Sequence, residues 1–541
     1  MNLSQNNNLN SKLYKFFIFL FSLTFITWWS GIAGASLYAI PSLFLVTLSV
    51  YTIIKGKYVL IITKLYCSLN NLISLEKYKK IIVAIFFLQS LLWFSYVILK
   101  YYSFNLFSLD AGYHSNILYN ISNGDFFSSM FNMHNFGDHF TLSMSFISLF
   151  YKITPSINWM MGFKVFAYTI SVYILYLIIN NEFTNPKKAW FVFFIVSVLW
   201  LFLYKPIINS IRYEFQASCL TPPIILISYY FYKNNKIILF LISMTFLLGF
   251  KEHLGSVWIG FGCFLILKDR KNILGYFLLI LGVFFIYFIM YEVKDFFRGT
   301  TEGYNVVSFI DPLKDIDKKI KYFFIYLLLP LLFLPLIYWK IGILAMPAIG
   351  VNLISGYETM YTSHYHYDDV SSTLLILSFI LSLEHIDMKK VFQYMSKSKL
   401  VQCGTVLCLT LILYHLPYSN IRLIKKVVPT SMHFKIIDEI NEIDDITKNS
   451  YIAVQDVLGP HFYRKKIQAY YQGEDCNYDN NFYKGKLPYP LPEYEYIILS
   501  AHVSKYGLKD YEKCLEQLDK SNKFIKLGNY KLIDVYQRIQ S

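Results

Sequence analysis

The chain has 541 residues, 55% of them hydrophobic and only 16% charged, with 48 Phe and 47 Tyr. A soluble protein of this length needs more polar surface, so the composition and the positive mean hydropathy exclude that class and indicate a polytopic membrane protein. The formal charge of +15 is not a nucleic-acid footprint, because Lys and Arg concentrate in short loops between apolar runs, where they set topology.

The N-terminus imitates a signal peptide, with Lys12 and Lys15 before an apolar stretch and Ala33 to Ala35 after it. A second apolar segment follows with no polar mature start, so residues 1–80 read as an uncleaved transmembrane hairpin and a basic loop. That loop, 55–80, carries Lys55, Lys57, Lys64, Lys77, Lys79 and Lys80 against Glu76, which argues that it is cytoplasmic, as is the N-terminus. Further apolar runs fall near 81–100, 156–180, 189–204, 217–232, 237–250, 254–267, 273–291, 322–338, 341–354, 371–384 and 400–416. Several are short for a hydrocarbon layer of about 30 Å, so re-entrant pieces fit, and the total is about 11–13 spans.

Counting spans onward, the basic connections at 185–188, 233–236, 268–271 and 388–399 all fall on the cytoplasmic side. The opposite side receives the first outer loop, 101–155, together with 205–216, 251–253, 292–321, 355–370 and everything after 417. Those outer segments carry "LDAGYHSN", "GDHF", "IRYEF", "KEH" and "SHYHYDD", so the acids and histidines gather at helix ends on one face. A transporter or flippase keeps ionisable groups near the midplane on interrupted, repeated spans; an enzyme at the outer interface has the present pattern. Within the first outer loop, "HFTLSMSFISLFYKI" is too short to cross and reads as an interfacial helix.

After Pro417 the pattern becomes that of a soluble segment. "YIAVQD", "IQAYYQ" and "EYIILS" read as strands, "YGLKDYEKCLEQLDKS" as an amphipathic helix, and "KFIKLGNYKLIDVY" as a hairpin turning at Gly528 and Asn529. Residues 417–541 are therefore expected to form a small extracytoplasmic α/β domain, periplasmic or extracellular, behind a transmembrane module at 81–416. Cys219, Cys263, Cys403 and Cys408 lie in apolar runs as packing residues. Cys476 and Cys514 share the polar tail; a disulfide and two free thiols both fit.

The order and spacing of "DAGYHSNILYN", Gly124, "FFSS", "GDHF", "YEFQ", "KEH", "TSHYHY" and "GPHFYRK" resemble a domain-of-unknown-function family of predicted prokaryotic polytopic membrane proteins. That family in turn is similar to the C-type (GT-C) membrane glycosyltransferases, which move a sugar from a polyprenyl-phosphate carrier to an acceptor on the outer face. The resemblance implies a GT-C-like helical fold and a catalytic carboxylate just after a span, which maps onto Asp110. It further implies a polyprenyl-phosphate-linked sugar donor and a lipid, glycan or protein acceptor in an inner, cell-envelope membrane. The sequence departs from the family pattern at His114, Ser115 and Asn116, at Gln216 to Ser218, and at His253, which weakens the transfer of a metal site built from paired carboxylates.

The residues themselves point the same way. Transfer to a hydroxyl needs a base near the acceptor proton with a pKa near the working pH, and desolvation at the hydrocarbon boundary raises that of Asp110. A departing lipid phosphate needs cations and hydrogen-bond donors; Arg212, Lys251, His364 and His366 lie on the correct side, with His139, Glu214 and Glu252 to orient sugar or acceptor. Each has a plainer reading. Asp110 and His139 also fit as helix-terminus residues, Glu214 with Arg212 and Lys251 with Glu252 as ion pairs, and the histidines as part of an aromatic belt. His364 and His366 would point one way if the segment were extended, while Asp368 and Asp369 read as solvated loop charges. "HYHYDD" admits a divalent ion without a strong ligand signature, and His461 and Arg464 in the tail are further candidates for substrate contact. A non-catalytic membrane assembly factor remains a rival, which would tolerate Asp110→Asn.

Overall fold

The computed structural model describes residues 35–298, 310–414, 420–447, 450–462, 467–470, 494–503, 511–528 and 530–539, with scattered positions between 16 and 27. The expected first span, Arg464, Cys476 and Asn529 lie outside or largely outside the described residues. Helices dominate. Among the described residues four are long and apolar enough to cross a membrane: Glu76–Tyr102, Ile157–Glu182, Pro186–Leu203 and Ile273–Arg298. The other apolar segments are shorter or interrupted, as the short runs in the sequence indicate.

The interruptions have local causes. The run 322–338, expected as one span, makes π-helical Tyr322–Leu328, a 3-10 turn Leu329–Leu331 and the one-turn helix Leu334–Ile337, with a second one-turn helix, Trp339–Gly342, after it. Pro330 and Pro335 cannot continue a helical ladder, and Leu332 and Phe333 take positive φ of 51° and 56° between them. In Pro186–Leu203 the last turn widens to a π-helix, and the carbonyl of Leu201 accepts from Gln89 Nε2 and Trp93 Nε1, both at 3.3 Å. Residues 58–74, expected as part of a loop, form the helix Tyr58–Ser74. Its apolar stretch "YVLII" packs Tyr58 and Ile61 inside, and the lysines at 55 and 57 precede it rather than breaking it.

Tight helix contact is specified by glycines. Helix Gly255–Lys268 lies against Ile273–Tyr287 so closely that a Cβ on Gly262 would sit 2.7 Å from the carbonyl oxygen of Gly275, and one on Gly255 2.7 Å from that of Gly282. Two glycines seven residues apart on each helix keep this seam open to backbone approach. The segment after His139 forms the helix Met144–Ile153, with Met144, Ile147 and Tyr151 buried and Phe146, Leu149 and Ile153 exposed, as an interfacial helix requires.

The bundle has two chemically distinct ends. Glu182, Lys233, Lys268, Glu384 and His385 line one shared cavity, so the basic connections meet at one end. Lys164, 18 residues before Glu182 and hence about 27 Å up the same helix, donates to the carbonyl of Tyr213 at 2.5 Å among the outer segments. The tail returns to that second end. Its five strands run in the order Ile467–Tyr470, Ile452–Gln455, Tyr496–Leu499, Asp534–Arg538, Phe524–Leu527; the first three are parallel and the last two add antiparallel. Alternation divides the sheet. Ile452, Val454 and Ile498 join the main core of the membrane module, while Ala453, Ile497 and Leu499 pack under helix Tyr511–Asp519. Cys514 is disulfide-bonded, whereas Cys219, Cys263, Cys403 and Cys408 are free.

Candidate functional site

After Tyr102 the helix stops, the chain turns through buried Phe104 at φ 54°, and a π-helical turn, Ser108–Gly112, starts the next helix, Tyr113–Ser122. Asp110, half-buried as a residue, is on that turn. One oxygen accepts from the Tyr213 hydroxyl and the other from Gln216 Nε2 at 2.5 Å. Because the Gln216 amide nitrogen is thus committed, its oxygen faces His114 Nε2 at 3.1 Å and Lys251 Nζ at 3.4 Å. The imidazole of His114 therefore carries its proton on Nε2. The relay runs from Lys251 and His114 through Gln216 to Asp110. Burial pushes the Asp110 carboxyl above its ordinary range, opposed by the hydrogen bonds from Tyr213 and Gln216 and by the charge of Lys251.

The segment that bears Tyr213 and Gln216 is itself held by buried charges. Lys100 and Lys164, both inside long apolar helices, donate to the carbonyls of Arg212 and Tyr213. Glu214, 1% exposed, accepts from the backbone N–H of Phe107 at 2.8 Å and of Ala111 at 3.0 Å. It grips the Asp110 turn, and among the described residues it forms no ion pair with Arg212. Burial pushes its carboxyl up to about 8.

The histidines of "SHYHY" separate. His364 is exposed, whereas His366 is 4% exposed. Residues 363–368 bend, with Ser363 at φ 51°, so the extended alternation expected from the sequence does not form. The His366 ring lies 5.2 Å from Tyr213 and 4.2 Å from Tyr367, and neither ring nitrogen has a hydrogen-bond partner among the described residues. Burial, then the nearby charge of Lys251, drives its pKa well below the usual imidazole range, and burial takes His114 and His253 to about 3. These rings are neutral at working pH and offer N–H groups rather than charge.

Arg212 and His364 belong to a separate cationic group with Lys205 and Lys321. Helix Lys205–Arg212 repeats Lys205, Asn209 and Arg212 at the i, i+4, i+7 spacing of one face. Asn209 ties the group together: its oxygen accepts from Arg212 Nη1 at 2.9 Å and its nitrogen donates to the carbonyl of Ser363. Lys205 Nζ and Lys321 Nζ lie 4.3 Å and 5.6 Å from the centre of the same ring, Tyr326. Among the described residues neither lysine forms a salt bridge, and the carboxylate whose charge reaches Lys205 is that of buried Asp368. The sequence shows Lys205 as a single lysine beside an apolar run and Lys321 as the last of a basic cluster with Lys318 and Lys319, so neither stands out as part of a rim.

His139 and Glu252 form a third group. Glu252 accepts from His139 Nδ1 at 3.0 Å, Phe140 N at 3.3 Å and Lys294 Nζ at 2.9 Å, so its ion pair is with Lys294 and not with Lys251. Burial works to raise the Glu252 carboxyl, but Lys294, His139 and Lys251 together hold it well below the usual range. Asp138, which accepts from the Tyr113 hydroxyl at 2.7 Å, lies 3.7 Å from His139 Nε2. Asp368 and Asp369 are each 1% exposed and not solvated; Asp368 accepts from Tyr322 and Ser363 and anchors the bend. Among the described residues no group of three or more His, Cys, Asp or Glu is arranged to hold a metal ion. His461 stacks on Tyr101 at 4.2 Å and packs against Phe104 at 4.4 Å, half-buried between them.

The family model described as "Predicted membrane protein (DUF2079)" matches residues 100–533. No curated protein matches the chain. Among solved structures, that of ArnT from Cupriavidus metallidurans bound to undecaprenyl phosphate has a TM-score of 0.49 at 11% identity, covering 86% of this chain and 99% of that one. The apo structure of the same protein has a TM-score of 0.47 at 10% identity, covering 84% of this chain and 98% of that one.

Proposed function

The chain belongs to the DUF2079 family of predicted membrane proteins, and from the site described above we propose that it is a GT-C-type glycosyltransferase using a polyprenyl-phosphate sugar. Asp110 accepts the proton of an acceptor hydroxyl as that oxygen bonds the anomeric carbon. The bond from that carbon to the phosphate oxygen breaks, and polyprenyl phosphate leaves with the electron pair. Developing charge on the phosphate is met on one side by Arg212, Lys205, Lys321 and His364, and on the other by Lys251 and the neutral N–H of His366. His139 and Glu252 orient sugar or acceptor, and Glu214 holds the Asp110 turn. The acceptor is a lipid, glycan or protein at the outer face, with the tail on that side; a disulfide in the tail supports this orientation.

The observation that carries the reading is the convergence of one desolvated carboxylate, one buried lysine and an unpartnered buried imidazole about Tyr213 and Gln216. Buried polar groups left without partners cost free energy unless a ligand supplies them. Radiolabelled polyprenyl-phosphate sugars offered to the purified protein in lipid nanodiscs test it. The expected result is release of polyprenyl phosphate with label moving to an acceptor fraction from the same membranes; no release from any donor in the panel would refute it.

A further inference from the structure

The turn that bears Asp110 is gripped from two sides, and only one side belongs to the membrane module. Glu214 takes the N–H groups of Phe107 and Ala111. The other grip comes from the tail, where strand Ile452–Gln455 ends in the 3-10 turn Asp456–His461. Asp456 Oδ1 accepts from the N–H of Ser108 at 2.8 Å, and its carbonyl accepts from Ser108 Oγ at 2.6 Å. Ser108 and Asp456 are 0% and 1% exposed, so both bonds are shielded from water.

Backbone lies on backbone here. A Cβ at Gly459 would collide with Ser108 Oγ and come within 2.8 Å of Ser108 Cβ, and a Cβ at Gly112 would meet Gly459 C and Pro460 N at 3.3 Å. Ser108 and Gly112 bracket Asp110, so both flanks of the carboxylate rest on residues 456–460. His461 closes the seam by stacking on Tyr101 and Phe104, which lead into the turn. Meanwhile Tyr213 and Gln216, the groups that aim the carboxylate, come from the membrane module.

We propose that the tail turn Asp456–His461 is a positioning element of the active site, setting the height of Asp110 against Tyr213 and Gln216. The tail is then a working part of the catalytic centre, and any ligand or partner that shifts it changes activity. Asp456, Gly459 and His461 act through Asp110 and touch no substrate. This rests on the transferase reading for its catalytic consequence, but the mechanical coupling itself can be read without activity.

The test is a cross-domain rescue in the full-length protein. Gly459→Ala inserts a methyl where Ser108 Oγ sits; Ser108→Gly removes that oxygen and the Cβ, leaving Ser108 Cα at 3.3 Å. Hydrogen exchange of the peptide spanning residues 104–113, read by mass spectrometry, is expected to speed up at least about tenfold in Gly459→Ala, as a turn stripped of its hydrogen bonds opens locally. It is expected to return near wild type in the Ser108→Gly/Gly459→Ala double variant. Sugar transfer should follow the same order, kcat falling about a hundredfold in the single variant, the scale of a 1 Å misplacement. The donor KM should stay constant and the double variant should recover to within about tenfold. Unchanged exchange in Gly459→Ala, or a double variant as fast as the single, overturns the proposal. The expected exchange pattern in a protein that transfers no sugar upholds the coupling and counts against the transferase reading alone.

Discussion

Asp110→Asn changes one atom and should separate chemistry from architecture. In the native site the two carboxylate oxygens accept from Tyr213 and from Gln216. The asparagine oxygen can keep the bond from Gln216 Nε2, because the Gln216 oxygen is already engaged by His114 and Lys251. The amide nitrogen can then donate to the Tyr213 oxygen. Both contacts survive with one reversed, and the desolvation that strains the native carboxylate disappears. Stability is therefore expected to change by no more than about 1 kcal/mol, the worth of one neutral hydrogen bond. What is lost is the proton acceptor. A positioned general base supplies about 10² to 10⁴ in rate, so kcat should fall about a thousandfold, equivalent to about 4 kcal/mol of barrier, with little change in donor KM. Initial rates of polyprenyl phosphate release, measured with thermal melting of the same preparation, read both quantities. A variant that melts like wild type and keeps more than about a tenth of its rate would refute the assignment of Asp110 as base.

The Lys205→Gln/Lys321→Gln double variant should raise the donor KM about tenfold or more, with the effect shrinking at high salt, because both ammonium groups lie over the Tyr326 ring at the rim and, among the described residues, outside any salt bridge; an unchanged KM would remove the rim from donor binding. Lys294→Met leaves the buried Glu252 carboxylate without its strongest partner and should cost about 3–5 kcal/mol, read as a drop in melting temperature. The Glu252→Gln/Lys294→Met double variant should cost less than that single change. Burial pushes the Glu214 carboxyl up to about 8, above the unfolded value of about 4.3, so the folded state binds the extra proton between those values. Stability should therefore decline as pH rises from about 4.3 to about 8 and be flat below. In Glu214→Gln the slope in that window should flatten, and an equally steep slope would show that another group is responsible.

Much of the site was readable because it is assembled from polar residues at the ends of apolar runs. Asp110, Glu214, Lys251 and Glu252 interrupt oil with charge, and in a membrane protein that is costly enough to carry meaning. The tail strands were readable from alternation, since Ile452 and Val454 face one side and Ala453 the other. Pairing was not. Nothing local says that Glu252 would find Lys294 rather than its neighbour Lys251, or that Glu214 would turn to the amides of Phe107 and Ala111, because partners across helices depend on packing. His364 and His366 were read as one unit from a period of two, and Ser363 at positive φ broke that period. Lys100 and Lys164 were missed because single lysines within apolar helices resemble snorkelling residues, whereas these two reach backbone carbonyls inside the protein. Gln216 passed as a departure from a family pattern, and its position between Asp110, His114 and Lys251 shows the work that an amide can do with one donor and one acceptor. The run 322–338 reads as continuous in hydropathy, which ignores the backbone consequences of Pro330 and Pro335.

A cryo-electron microscopy structure of the protein in nanodiscs with bound polyprenyl phosphate tests the central claim most directly. The account predicts phosphate oxygens within hydrogen-bonding distance, about 3 Å, of Arg212, Lys251 or His366, with Asp110 facing the space beside them and the prenyl chain leaving toward the lipid past Tyr326. A phosphate bound at the opposite end, beside Lys233 and Lys268, would contradict it.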